Sequence, residues 1–217
     1  MKTNKKNIVS ALILLAVFVI FTVLIKTVNV AAIGPEGTSV GFAFINETFK
    51  NVFPFSETFY KLSEFLGYLA LLTCGFFGCV GLAQLIKRKS LKKVDKDIYV
   101  LAGFYIVVLA CYALFEKIVI NYRPVILDEG LEASYPSSHT ILSLCVFASA
   151  AYMVERHLKN SKTLKTILGT AAIVLSVVTV VFRAFSGVHW FTDIIGGVIL
   201  SLALLNLFLA FLPSEAR

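Results

Sequence analysis

The run IVSALILLAVFVIFTVLI, from Ile8 to Ile25, is interrupted only by Ser10 and Thr22. A helix that crosses a bilayer needs roughly 20 mainly apolar residues, so this stretch reads as a span. Lys2, Lys5 and Lys6 precede it, as the basic start of a secretory signal would. Its apolar run exceeds the roughly 7–15 residues of a signal core, which favours a retained anchor. Working outward, the same criterion picks out Phe65–Ile86, Ile98–Ile120, Thr140–Val154, Leu164–Phe182 and Trp190–Leu212. The Thr140 run is short, so its first turn is expected to lie in protein rather than in lipid. The fold class that follows is all-α: an integral membrane bundle of six transmembrane helices, with an interfacial outer segment between the first two. Residues 1–217 read as a single domain, with no soluble unit left over and no convincing repeat.

Composition agrees. Of 217 residues, 58% are hydrophobic and only 15% charged, against about 45–50% and 25% in soluble domains, so lipid must be part of the solvent. The net charge of +7 is spread over short runs between apolar stretches rather than gathered into a nucleic-acid-binding pattern. Lys2, Lys5, Lys6, the 87–96 cluster, Arg156, Lys159, Lys162, Lys165 and Arg217 fall on one side; they are fourteen of the twenty Lys and Arg residues. The excess of positive charge places that side, with both termini, in the cytoplasm. Cys74, Cys79, Cys111 and Cys145 all lie inside apolar runs and read as small buried hydrophobes, with neither metal-site spacing nor a disulfide framework. In the long outer segment, Phe42, Ile45, Phe49, Val52 and Phe53 recur at helical spacing, which suits either an interfacial helix or a packed loop. Asn46-Glu47-Thr48 within it matches a short glycosylation sequon.

Four separate segments bring ionisable groups to the outer ends of the spans, where charge is costly and marks function. They are Lys117 to Pro124, Tyr135-Pro136-Ser137-Ser138-His139, Phe182-Arg183 and Gly187 to Asp193. Arg123 and Arg183 offer planar forks that match phosphate oxygens. Pro136-Ser137-Ser138-His139 opens a helix, so its free N–H groups also face an anion. His189 and Asp193 are four apart, expected on one helical face one turn apart. A carboxylate there fixes one ring tautomer and makes the other nitrogen a nucleophile. His139, on a different helix, is then available to protonate a leaving oxygen. His157 sits among cytoplasmic basic residues and is assigned no chemistry.

These segments resemble the three signature motifs of the type 2 phosphatidic acid phosphatase superfamily: Lys-x6-Arg-Pro, Pro-Ser-Gly-His and Ser-Arg-x5-His-x3-Asp. The third is matched from Arg183 through His189 to Asp193 with both spacings intact, and the second appears as Pro136-Ser137-Ser138-His139. The likeness spans about 117–197, with the motifs themselves within 117–193. It implies a phosphohistidine on His189, Asp193 as its orienter, and His139 as general acid and then base. It implies that Lys117, Arg123, Ser137, Ser138 and Arg183 hold the phosphoryl oxygens, and that neither metal nor other cofactor is required. Three positions depart: Ser138 replaces glycine, Phe182 replaces serine, and Lys117 lies six rather than seven residues before Arg123, with Glu116 in the usual lysine position. Either Lys117 or Glu116 therefore lines the site; the expectation is that Lys117 does the lysine's work and that Glu116 turns away or pairs with a cation.

The reading is a lipid phosphate or lipid pyrophosphate phosphatase at the outer membrane face. Phosphatidic acid, phosphatidylglycerol phosphate and undecaprenyl pyrophosphate all fit as substrates, membrane lipids are the surroundings, and nucleic acid is no partner. A phosphotransferase, or a lipid-binding or transport protein that kept the scaffold without the chemistry, are the rivals. The full His139, His189 and Asp193 set argues against the last, since binding alone needs no aligned nucleophile.

Overall fold

A computed structural model describes residues 4–127, 130–158 and 161–213. Among the described residues seven α-helices follow in order: α1 Lys5–Thr27, α2 Ala43–Val52, α3 Glu57–Arg88, α4 Lys96–Lys117, α5 Ser138–His157, α6 Lys162–Phe185 and α7 Phe191–Phe211. All but α2 are long and apolar enough to cross a membrane. Among the described residues the only β-pairing is three isolated bridges, at Ala31 with Val40, Tyr122 with Ala133 and Leu127 with Gly130. Single-helix and closed-barrel elements are the ones that satisfy every backbone group in hydrocarbon, and this chain uses the first.

α5 and α7 form the centre and are the most enclosed of the six spans, half or more buried, whereas α3 is mostly exposed. The exposed faces of α1, α3, α4 and α6 carry Leu12, Ile20, Leu72, Phe76, Ile106 and Ile173, which is the surface a lipid solvent requires. α1 is an integral part of the bundle: Ala11, Phe18 and Ile25 are buried, and Phe18 stacks on Tyr135 at 5.9 Å between centroids. Thr22 Oγ1 lies 2.8 Å from the Tyr135 hydroxyl, so the first span directly braces the segment that carries His139.

The Asn4 amide donates to the Ala210 carbonyl at 3.1 Å, which puts the two ends of the described chain at one end of the bundle. At that same end His157 Nε2 lies 2.7 Å from Asp97 Oδ2, a pairing that locks α5 to the start of α4. The motif segments occupy the opposite end. There the long connection after α1 resolves into the helix α2, whose Phe49 meets Phe191 at 5.4 Å and whose neighbour Phe53 stacks on Phe185 at 4.9 Å. Asn46 is fully buried, donating to the Gly41 carbonyl at 2.8 Å and to Thr192 Oγ1 at 3.0 Å. The sequon is therefore a structural asparagine facing inward, with no room for a glycan. Phe44, Ile45 and Val52 face outward, leaving an apolar side on a helix that roofs the start of α7.

Three spans depart from their sequence-based ranges in ways that shape the site. α3 begins at Glu57 rather than Phe65, because its polar first two turns pack on α6 through Phe59 and Phe182, 5.5 Å apart, instead of facing lipid. α4 stops at Lys117, and Ile118 to Ile120 leave the helix. α5 runs Ser138–His157, extending the short apolar run at both ends with buried Thr140 at its start.

Candidate active site

Each of the motif side chains is set by a local feature. His189 lies in the turn after α6, ahead of the N-cap Trp190, so it is not on the helix with Asp193 as its spacing suggested. Asp193 explains the boundary: its Oδ2 accepts the Trp190 amide at 2.9 Å, which caps the helix and starts it at Phe191. The turn itself needs Gly187, which has φ +67°, and whose missing Cβ would meet the Pro54 backbone at 2.6 Å. The Ser56 amide donates to the Ser186 carbonyl at 3.0 Å, so the connection from α2 to α3 clamps the loop that presents His189.

His189 is 3% exposed. Its Nε2 is 3.2 Å from Arg183 Nη2, and its Nδ1 is 3.7 Å from Asp193 Oδ2. A guanidinium only donates, so the contact makes Nε2 the nitrogen with the lone pair and leaves the ring proton on Nδ1, toward Asp193. Burial holds the imidazole well below its ordinary pKa, and the nearby Arg183, Arg123 and His139 push the same way. His189 is thus neutral at neutral pH, with its Nε2 lone pair directed at the arginine.

Arg183 is fully buried, donating through Nη1 to Ser63 Oγ at 3.1 Å and to Glu64 Oε1 at 2.8 Å. Its guanidinium also lies over the Tyr60 ring at 5.5 Å. The hydroxyl lost at Phe182 is in this sense replaced from α3. Arg123 Nη2 pairs with Glu132 Oε2 at 3.0 Å, and its backbone amide bonds the Glu132 carbonyl, which folds the 118–136 connection back on itself. His139 is the second residue of α5, with Nε2 3.2 Å from the same Glu64 Oε1. Among the described residues, buried nitrogens without a hydrogen-bond partner include Arg123 Nε and Nη1, Arg183 Nε, His139 Nδ1 and His189 Nδ1. The arginine nitrogens are obligate donors, unpaired donors are costly, and their gathering beside the two histidines is what an anion-binding site requires.

Ser137 is buried; its amide donates to the Asp193 carbonyl and its Oγ accepts from Thr140, so it ties α5 to α7. No side chain caps the first turn of α5, leaving those N–H groups to an outside acceptor. Ser138 lies on the wall of a cavity of about 700 Å³ whose polar part is lined by Glu64, His139, Arg123 and Glu132. That cavity descends between α3, α4 and α5 past Leu71, Val108, Leu109 and Leu142. Leu71 is two turns below Glu64, so the apolar part reaches about 10 Å into the bundle.

Lys117 is not brought into this group. It ends α4, exposed, and is absent from the cavity wall, where Glu116 sits instead. Both residues lie on the regular helix, so Lys117 points roughly 100° away from Glu116, the position that faces the cavity. Glu116, expected to turn away or to pair with a cation, lies on the cavity wall.

Two contributors escaped the sequence reading. Glu64 bridges Arg183 and His139. Asn121, 2% exposed, donates to Asp193 Oδ1 at 3.2 Å. The available signal was the helical stripe Tyr60, Ser63, Glu64 and Gly67, a polar face on an otherwise apolar span.

Residues 102–217 match the PAP2 superfamily, which is just over half of the chain. Phosphatidylglycerophosphatase B of Bacillus subtilis (strain 168) is 32% identical over 94 residues, 43% of this chain and 44% of that protein. The match therefore spans under half the length of the curated relative. The crystal structure of a transmembrane PAP2-type phosphatidylglycerolphosphate phosphatase from Bacillus subtilis superposes with a TM-score of 0.67 over 91% of this chain and 93% of that one. At 20% identity that likeness is one of fold, a multi-pass membrane bundle. The chain belongs to the PAP2 superfamily.

Proposed function

We propose that this protein hydrolyses a lipid phosphate or lipid pyrophosphate at the outer face of the cell membrane, through a phosphohistidine on His189. The observation that carries the reading is the shape of the cavity. Arg123, His139 and Glu64 line its polar part, with the buried Arg183 and His189 directly behind Glu64, and an apolar cleft continues from there into the span. An anionic head on an apolar tail fits both parts at once.

In the proposed reaction His189 Nε2 attacks phosphorus, and the bond from phosphorus to the lipid oxygen breaks. His139 gives its proton to that departing oxygen. Water, deprotonated by His139, then attacks the phosphohistidine and releases orthophosphate, restoring His189. Asp193, held by Asn121 and the Trp190 amide, faces the Nδ1 proton and stabilises the charge that develops on the ring. Arg123, Arg183 and the first amides of α5, with Ser138 beside them, neutralise the phosphoryl oxygens. These cations and amides let the chemistry proceed without a metal. Lys117 has no part in it.

The even number of spans, the shared end of the termini and the basic loops at that end support an outward-facing site with both termini cytoplasmic. Phosphatidylglycerol phosphate is the first substrate to assay, given the name of the Bacillus relative. Detergent-solubilised protein, assayed for phosphate release on a side-by-side panel of phosphatidylglycerol phosphate, phosphatidic acid and undecaprenyl pyrophosphate, should turn over at least one lipid. His189→Ala should abolish that turnover. Loss of substrate without free phosphate would instead indicate transfer to another acceptor, and binding without turnover a non-catalytic lipid carrier.

A further inference from the structure

Among the described residues, Glu64 is the one carboxylate that touches two of the groups assigned to phosphoryl transfer. Its Oε1 is 2.8 Å from Arg183 Nη1 and 3.2 Å from His139 Nε2. Those are the donors that a phosphoryl oxygen and its departing neighbour would need, and a single carboxylate oxygen engages both. While Glu64 holds the proton face of His139 Nε2, that nitrogen is not free for a leaving group.

We infer that Glu64 is an internal occupant of the phosphate site, a carboxylate that stands where a phosphoryl oxygen binds and that the substrate must displace. This rests on the anion-site reading proposed above. Three observations support it. The cluster of Arg123, Arg183 and two histidines is costly to assemble without a counter-charge, and a side chain one turn above Gly67 on α3 supplies one. Glu64 lies on the wall of the 700 Å³ cavity, so its carboxylate has space to swing into when an anion arrives. Arg183 keeps Ser63 Oγ as a partner when Glu64 departs, and the arriving phosphoryl oxygen takes the carboxylate's place, so the guanidinium is never stranded. The exchange replaces one acceptor by another on the same donors, and Glu64 therefore sets how tightly the site holds phosphate.

The test is the affinity of orthophosphate itself, measured by its protection of the detergent-solubilised protein against thermal unfolding. Glu64→Gln keeps the size of the side chain and an amide oxygen for Arg183, but removes the competing charge. It should bind orthophosphate at least tenfold more tightly than the wild type. Glu64→Asp draws the carboxylate back from both donors and should tighten binding by a smaller factor; it carries the test if the glutamine variant does not fold. A gain in affinity is not a result that structural damage produces. Equal or weaker binding by folded variants, beside measurable binding by the wild type, would overturn the inference. No binding by any of the three folded proteins would refute the anion site, and the inference with it.

Discussion

Gly67 offers a way to disable His139 without touching its side chain. A Cβ at position 67 would stand 2.8 Å from His139 Cδ2 and 3.0 Å from Nε2, where ordinary contact begins at 3.4 Å. In Gly67→Ala the imidazole must therefore retreat by about 0.6 Å, since α3 is held in place by Ser63 and Glu64 on Arg183. Positioned acid–base catalysis contributes roughly 10²–10⁴-fold, and misplacement by about 1 Å costs on the order of 10²-fold. A shift of this size should lower turnover of a lipid phosphate about ten- to hundredfold. The assignment of His139 as acid and later base makes a sharper demand. A p-nitrophenyl phosphate expels a delocalised phenolate that needs no proton, so its first step should keep nearly the wild-type rate. The second step, in which His139 activates water, should still be slow. Rapid-mixing measurement of nitrophenolate should show a stoichiometric burst followed by a slow steady state in Gly67→Ala. Equal slowing of the first turnover on both substrates, or no slowing on either, would refute the role given to His139.

Three further outcomes follow from the geometry. Because burial and neighbouring cations hold His189 well below its ordinary pKa, the nucleophile stays unprotonated as pH falls through about 6.5. The acid limb of kcat/KM against pH should therefore lie clearly below 6.5, and a limb at or above it would show a different titrating nucleophile. Lys117→Ala should leave turnover within about twofold, as an exposed position off the cavity wall; a loss beyond tenfold in phosphate release would put the lysine in the site. Single cysteines placed at Ser90 or Lys92, in protein freed of its native cysteines, should resist an impermeant thiol reagent in intact cells, and labelling from outside would reverse the orientation.

The spans were legible because each must present close to 20 apolar residues to hydrocarbon, whatever its neighbours do. Arg123, His139, Arg183, His189 and Asp193 were legible because permanent charge and histidine at span ends have few structural uses. Glu64 was not, because its partners are 75 and 119 residues away and its own helix begins eight residues before the apolar run. Spacing alone also misplaced His189: four residues suggests one helical face, but Asp193 spends Oδ2 on the Trp190 amide and so starts the helix after the histidine. Lys117 shows the converse error. Its near-motif spacing to Arg123 suggested the site, whereas the helix end leaves Lys117 exposed and puts Glu116 on the cavity wall.

The phosphoenzyme itself tests the central claim most directly. Purified protein mixed with a lipid phosphate radiolabelled in its terminal phosphoryl group, quenched in alkali within the first turnover and digested, should yield label on the peptide that contains His189. The label should be labile to acid, as a phosphoramidate is, and absent from His189→Ala, which should also release no phosphate. Turnover retained in His189→Ala, or label on any other residue, would contradict nucleophilic catalysis by this histidine.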